Sequence, residues 1–199
     1  MAPPRTGTIA ASGRGGDGPL TSAAQRDRRT RILDASLVLA SKGGYDAVQM
    51  RVVAEQAGVA LGTLYRYFPS KIHLLVSALA REFERTYERL DRIAIPGDTP
   101  SERMLFVLSG ITQYMQRNPM LAEAMTRAFM FADPSAAAGL MERILTKAIH
   151  EGEPTADEAA IARIIGDVWL SHLVAWVTRR ASANDVSEHL ELAVRLLLR

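Results

Sequence analysis

The sequence predicts an all-α protein in which a small N-terminal unit of three helices precedes a larger helical bundle. Two observations lead to this fold class. Signals that start and end helices recur along the chain, and convincing runs of period-two alternation, the pattern of half-buried strands, are missing. With 199 residues, 48% of them hydrophobic, the chain can form one large domain or two small ones. Counting the signals predicts about nine helices.

The N-terminal unit is expected to follow a disordered tail, residues 1–21, that is rich in Gly, Ala and Pro. Ser22 and Gln25 can form a capping box, which opens a first helix, and the pair Gly43-Gly44 ends it. The unit spans residues 22–69, with two further short helices predicted over residues 50–57 and 61–67.

The bundle, residues 70–199, is predicted to begin with a connecting helix over residues 70–92. Thr99, Pro100 and Glu102 combine an N-cap, a proline at the first helical position and a glutamate at the third, which is a strong helix start. Proline, glycine and a second capping box divide the rest of the chain. The predicted helices cover residues 100–117, 119–131, 134–151, 155–180 and 185–197.

Composition argues against several classes of protein. The chain has no cysteine, and its four histidines are too scattered for helical metal-ligand spacing. It carries no Walker loop, no dinucleotide fingerprint after a strand and no nucleophile elbow. We therefore expect no enzyme activity, no cofactor and no metal site. A signal peptide and a run of eighteen or more apolar residues are also missing, so the expected location is the cytoplasm, away from membranes.

Charge is distributed unevenly between the two parts of the chain. Residues 1–92 hold 14 Lys and Arg against 9 Asp and Glu, whereas residues 93–199 carry a net charge of −3. A basic first part joined to an acidic remainder indicates that the first part meets a polyanion. Ordinary scatter of surface charge would give a similar imbalance, so charge alone does not decide.

The two short helices have the spacing of a helix-turn-helix. Between them the chain reads Ala54-Glu55-Gln56-Ala57-Gly58-Val59. Ala54 is small where two helices cross closely, and Gly58 can adopt the positive φ of a tight turn. An arbitrary pair of antiparallel helices could have the same spacing. The residues of the second helix therefore have to distinguish a helix-turn-helix from such a pair.

That second helix carries a dense set of polar and aromatic residues, Gly62-Thr63-Leu64-Tyr65-Arg66-Tyr67-Phe68, followed by Pro69-Ser70-Lys71. Leu64 and Phe68 lie four residues apart and can face inward together, while Thr63 and Tyr67 share a different face. Gly62 permits close approach of the backbone to a phosphate. A cation such as Lys71 in the first turn of a helix opposes the helix dipole, and a phosphate nearby would compensate.

Residues 28–75, and above all residues 54–59 and 62–71, closely resemble the DNA-binding domain of TetR-family regulators. The chain departs from that pattern at Gln49, Ala60 and Leu61, where many relatives have capping residues and a lysine. The resemblance implies a TetR-like fold and contacts with a DNA backbone or groove by Thr63, Tyr65, Tyr67 and Lys71. The full set of candidate DNA-binding residues is Arg28, Arg29, Arg51, Gly62, Thr63, Tyr65, Arg66, Tyr67 and Lys71.

Within this set the arginines have distinct expected roles. Arg51 is the candidate reader of a guanine edge, because an arginine pairs bidentately with its two acceptors. Arg28 and Arg29, with their neighbours Arg26 and Arg31, can reach flanking phosphates or a minor groove. A solvated helix start explains these four arginines equally well.

A narrower resemblance joins most of residues 22–197 to actinobacterial TetR-family repressors of cholesterol and steroid catabolism. The motifs that carry it lie at residues 41–45, 48–51, 116–119, 123–128, 167–171 and 178–182. It implies repression of sterol-degradation and uptake genes, with release by a small apolar effector, a steroid or its coenzyme A thioester. The alternatives are a TetR-type regulator of another lipid or efflux pathway and a helical protein-binding adaptor.

Methionine and aromatic residues cluster in the bundle, where they suit a large apolar ligand. Plain core packing explains the same pattern at any single position. The candidate ligand-binding residues are Met104, Leu108, Tyr114, Met115, Leu121, Met125, Phe129, Trp169, His172, Leu173 and Trp176. The last two helices carry apolar faces and, in TetR-like proteins, pair across a two-fold axis, so a homodimer on double-stranded DNA with a palindromic operator is expected.

Overall fold

The computed structural model describes residues 19–131, 135–150 and 152–198, and within these ranges all regular structure is helical, in nine helices. This confirms the predicted all-α class. The helices are α1 (Pro19–Ala47), α2 (Met50–Ala57), α3 (Leu61–Tyr67), α4 (Lys71–Leu90), α5 (Pro100–Arg117), α6 (Pro119–Phe131), α7 (Ser135–Ile149), α8 (Ala156–Val177) and α9 (Ala183–Leu197). Residues 1–18 of the predicted tail lie outside the described ranges, and α1 begins three residues before the predicted boundary at Ser22.

Helices α1, α2 and α3 form the head, which packs around side chains that are almost completely buried. Ile32 and Val53 have no exposed surface, and neither does Leu64 of α3. Phe68, just after α3, is 1% exposed. Leu64 and Phe68 therefore face inward together, as their spacing predicts.

Glycines interrupt or end the helices of the head where the sequence indicates. Gly43 and Gly44 have non-helical dihedral angles, and Gly44 lies at φ 68°. Gly58 follows α2 at φ 63° and ψ 42°, the left-handed region, and its N–H donates to the carbonyls of Ala54 and Glu55. The turn between α2 and α3 therefore has the backbone geometry for which a glycine is favoured.

Caps fix the helix starts of the bundle. The side chain of Ser70 accepts a hydrogen bond from the His73 N–H at the start of α4. Reciprocal capping boxes open α5, α8 and α9, which confirms the two predicted from sequence for α5 and α8. In the Thr99–Glu102 box, hydrogen bonds from the backbone of Thr99 and Asp98 lower the pKa of the Glu102 carboxyl. Neither α2 nor α3 has a side-chain cap, in line with the unusual Gln49 and Ala60.

Helices α4 to α9 form the body, and the head packs directly on it. Helix α4 contacts α1, α6 and α7, and α1 contacts α6 as well as α2. Leu74, Leu75 and Ala78 of α4 are completely buried. The head is thus joined to the body through α4 and through the contact between α1 and α6.

Helix α8 is long and apolar enough to cross a bilayer by length and composition alone, and 22% of its most apolar window is buried. A single helix of this kind is weak evidence for a membrane protein. Its exposed apolar surface instead fits pairing with a second protomer, together with α9. Not every apolar residue of these two helices is available for pairing: Ile165, Leu190 and Val194 are at most 3% exposed and belong to the protomer's own core. The exposed apolar residues of the two helices are Ile164, Leu192 and Leu196.

Candidate nucleic-acid interface and internal cavities

The outer side of α3 is polar and exposed. Tyr65 is 46% exposed and Arg66 is also exposed, whereas Thr63 and Tyr67 are half-buried. The Tyr67 ring lies 6.3 Å, centroid to centroid, from the ring of Phe68. One face of α3 therefore packs in the head, and the other exposes Tyr65 and Arg66 to a binding partner.

Gly62 lies on α3 beside open space. A Cβ built at this position meets no heavy atom within 4 Å, so packing within the protomer gives no reason for a glycine here. Glycine also lowers helix stability relative to alanine. An external partner that approaches the backbone closely, such as a DNA phosphate, would explain why position 62 is a glycine.

Replacing Gly62 with Ala is expected to raise the free energy of unfolding by about 0.5–1 kcal/mol, because the helix gains propensity and no clash is introduced. Affinity for operator DNA should fall at the same time, since the new methyl group stands between backbone and phosphate. Urea unfolding and gel shifts measure the two effects. Gly110→Ala, which also adds a Cβ in open space but in α5, is the control. Unchanged operator affinity in the Gly62 variant would contradict a close phosphate contact.

The side chain of Arg51, at the start of α2, extends into solvent. It is 83% exposed, and its Nε lies 3.2 Å from Glu55 Oε1, one turn further along the helix. Exposed ion pairs of this kind contribute about 0.3–0.5 kcal/mol. The guanidinium can therefore leave Glu55 at little cost and pair with another acceptor.

The arginines that open α1 have different surroundings. Arg31 donates to the Ala57 carbonyl at 2.7 Å and also pairs with Asp27, so it holds the end of α2 against α1. The Arg29 guanidinium lies 5.7 Å from the centroid of the Phe68 ring, and Arg29 is otherwise exposed. Arg28 is half-buried. Arg29 is thus the member of this group placed next to the end of α3.

Lys71 is held by the protein itself, which the sequence did not indicate. Its Nζ lies 3.8 Å from the centroid of the Tyr45 ring, and the Arg127 guanidinium lies 4.4 Å from the same centroid. Burial lowers the pKa of Lys71, and Arg127 lowers it further, against the opposing effect of Asp46 and Glu123. A phosphate that Lys71 contacts would therefore share its ammonium group with the tyrosine ring or replace the ring as its partner.

The same tyrosine anchors α1 to α6. The Tyr45 N–H donates to Glu123 Oε2 at 2.7 Å, and Arg127 lies 3.5 Å from Asp46 and 3.6 Å from Glu123. Arg127 is therefore paired within the protein. We name Tyr45, Asp46, Lys71, Glu123 and Arg127 the Tyr45 cluster.

A cavity of about 320 Å³ lies inside the body between α4, α6, α7 and α8, with one residue from α5. Pockets for small organic ligands are about 300–1,000 Å³ and mostly apolar. Five of the predicted ligand-binding residues line this inner cavity: Met115, Met125, Phe129, Trp169 and Leu173. The indole of Trp169 is held in place by a 3.0 Å hydrogen bond from its Nε1 to Thr112 Oγ1.

A second, outer cavity of about 950 Å³ lies between α4, the segment after it, α5 and α6. Tyr114 and Leu121 line it, as do Met115 and Met125. Leu79 and Phe83 of α4 line both cavities, so they form a wall between them with the two methionines. Sequence reasoning did not select these two residues of α4, although their spacing of four on an amphipathic helix is the signal that could have found them.

Four predicted ligand-binding residues lie outside both cavities. Met104 and Leu108 are at most 1% exposed and are packed in the core on the inner side of α5. His172 stacks on His189 with ring centroids 4.6 Å apart, between α8 and α9. Trp176 lies beside Arg179 and Arg180 in a shallow depression at the end of α8. These positions do not support ligand contacts, because the residues face packing partners or the protein surface.

The family of the chain follows from comparison with known proteins. Residues 32–78 match the family model "Bacterial regulatory proteins, tetR family", and residues 97–197 match "Tetracyclin repressor-like, C-terminal domain". The second match alone covers just over half of the chain. The chain belongs to the TetR family of bacterial regulators.

Individual relatives are similar over nearly the whole chain. The HTH-type transcriptional repressor KstR of Rhodococcus jostii is 62% identical, with 98% of this chain and 93% of that protein covered. KstR of Mycobacterium tuberculosis is 60% identical over 90% of this chain and 84% of that protein. A crystal structure of a TetR transcriptional regulator from Rhodococcus sp. RHA1 superposes with a TM-score of 0.80 at 31% identity, covering 88% of this chain and 97% of that one.

Proposed function

We propose that this protein is a dimeric transcriptional repressor of sterol catabolism and uptake genes, released from a palindromic operator by a steroid-derived effector, as a coenzyme A thioester. The identity of 60–62% to KstR repressors supports the repressor role. The resemblance to repressors of steroid catabolism supports the gene set and the chemical class of the effector. A site of action in the cytoplasm follows from the same role.

Residues 22–69, which make up nearly all of the head, are proposed as the DNA-binding domain and residues 70–199 as the effector-binding and dimerisation domain. In this role Tyr65 and Arg66 of α3 face the major groove, and Arg51 of α2 reads a base edge. Gly62, Thr63 and Tyr67 are proposed to lie against the backbone, where Arg28, Arg29 and Lys71 supply positive charge. Backbone contacts of this kind make affinity strongly dependent on salt.

The inner cavity is proposed as the effector site, because five of the predicted ligand-binding residues line it and four line the outer cavity, and α4 is proposed to connect it to the head. Leu79 and Phe83 of α4 line the cavity, while the same helix begins at Lys71, three residues after the buried Phe68 of the head. An effector that displaces these side chains must shift α4, and with it the head. A ligand changes an equilibrium only by binding the two states differently, and contact with α4 provides that difference.

The Tyr45 cluster provides a second connection between cavity and head. Helix α6 lines the inner cavity through Met125 and Phe129 and holds Tyr45 of the head through Glu123. Movement of α6 therefore reaches the segment before α2 without passing through α4. Both routes would change the spacing of the two heads in a dimer, for which half-sites about 34–36 Å apart are required.

A genome-wide footprint followed by gel shifts tests the function. We expect footprints beside sterol-degradation and uptake genes, weaker binding at about 200 mM than at about 50 mM salt, and release by the coenzyme A thioester of a steroid carboxylic acid. Release by a straight-chain acyl thioester but not by the steroid would indicate another lipid pathway. Failure to bind any footprinted duplex would favour a protein-binding adaptor.

A further inference from the structure

One polar side chain in the wall of the inner cavity has no partner in the protein. Thr126 of α6 is 3% exposed and lines the cavity beside Met125 and Phe129. Its Oγ1 is buried and makes no hydrogen bond. Buried hydroxyls are nearly always hydrogen-bonded, because an unpaired one has lost its water without replacement.

Other threonines of the body, within or at the end of a helix, form the hydrogen bonds that Thr126 lacks. Thr86, Thr146 and Thr178 each donate to the carbonyl four residues earlier, at 2.6–2.9 Å. Thr112, also buried, accepts a hydrogen bond from Trp169 Nε1. A bond back to the helix is the usual way to satisfy a helical threonine, and Thr126 makes none.

We propose that the Thr126 hydroxyl donates a hydrogen bond to an oxygen atom at the inserted end of the effector. This inference rests on the proposed function and specifies it further. The chemistry selected is a largely hydrocarbon ligand with a ring carbonyl or hydroxyl group, in preference to the same hydrocarbon without oxygen. A site built to bond an oxygen discriminates against the analogue that lacks it, because the hydroxyl then remains buried and unpaired.

A charged pair in the lining of the cavity is proposed to set the orientation of the ligand. Arg163 of α8 bonds both carboxylate oxygens of Glu142 on α7, at 3.2 and 3.3 Å, and its side chain is 63% exposed. The guanidinium of Arg163 and the carboxylate of Glu142 are therefore hydrogen-bonded to each other. The exposure of Arg163 marks the side of the cavity that reaches solvent. The charged coenzyme portion leaves on that side, because it cannot be desolvated in the apolar interior, and the ring system points toward Thr126.

The test uses two thioesters of coenzyme A whose cholanoyl groups differ only in a ketone at the ring end. Affinities of both are measured by calorimetry for the wild-type protein, Thr126→Val and Thr126→Ser. The wild-type protein should prefer the ketone by about five- to tenfold, the strength of one hydrogen bond. Thr126→Val, which keeps the shape and removes the hydroxyl, should lose the preference, whereas Thr126→Ser should keep it.

Stability without ligand provides an independent readout. Thr126→Val should melt at or above the wild-type temperature, because an unpaired buried hydroxyl is replaced by a methyl group. Thr112→Val is the matched control and should melt lower, since it leaves Trp169 Nε1 without its acceptor. Equal preference for the ketone in Thr126→Val and wild type would overturn the inference. Equal wild-type affinity for both thioesters would also overturn the inference, although the proposal of a steroid effector would then stand. If neither thioester binds, the proposal of a steroid effector is overturned as well.

Discussion

Replacing Tyr65 with Ala is expected to lower operator affinity by about a hundredfold while leaving the fold intact. A side chain that contacts DNA contributes about 1–3 kcal/mol to recognition, and a dimer loses the contact in both half-sites. Tyr65 is 46% exposed and belongs to the outer face of α3, so its removal opens no cavity in the core. Exposed substitutions of this kind change stability by about 0.5 kcal/mol or less.

The measurement compares operator gel shifts with effector calorimetry and thermal unfolding on the same preparation. Tyr65→Phe is the matched control, because it keeps the ring and removes only the hydroxyl, and thereby separates stacking from hydrogen bonding. Effector affinity should be unchanged in both variants, since Tyr65 lies in the head, away from both cavities. A parallel loss of operator and effector binding would instead indicate misfolding.

Placing a charge on the exposed face of α9 is expected to produce monomers and to abolish tight operator binding. Leu196 is 56% exposed in the single protomer, and Leu192 on the same helix is 55% exposed. In a two-fold interface each copy contributes the same patch, so Leu196→Glu buries two carboxylates in apolar surroundings. Operator affinity should fall by more than about a hundredfold, because the two heads no longer bind as one linked unit.

Sedimentation measures the oligomeric state, and gel shifts measure the consequence for DNA. Met130→Glu is the matched control, since Met130 is 53% exposed but lies on α6 and not on α8 or α9. It should remain dimeric and bind the operator normally. A Leu196→Glu protein that is still dimeric would place the two-fold axis on another face of the body.

Much of the fold could be predicted because its signals are local. A capping box such as Thr155 with Glu158 involves residues three apart, and the turn at Gly58 depends on a single φ angle. The inward pair Leu64 and Phe68 follows from the period of one helix. Such features are determined within a few residues, so they do not depend on where the rest of the chain lies.

The candidate cavity residues were predicted less completely. Met104 and Met115 both lie on the apolar side of α5, yet only Met115 lines a cavity. Leu79 and Phe83 of α4 and Thr126 of α6 were not selected from the sequence at all. Whether an apolar side chain fills space or borders it depends on which helices pack opposite, and no periodicity within one helix contains that information.

The sequence alone therefore determined the order of the helices, the capping boxes of α5 and α8, the helix-turn-helix and the polar face of α3, and with them the family. The capping box predicted at Ser22 is wrong, because α1 already begins at Pro19. Only the tertiary structure decided that Lys71 rests on Tyr45, that α6 holds the head through Glu123, and where the cavities lie. The physical reason is sequence distance. Helix signals act between residues up to four positions apart, whereas Tyr45 and Glu123 meet across 78 positions, and a cavity is the space that distant helices leave between them.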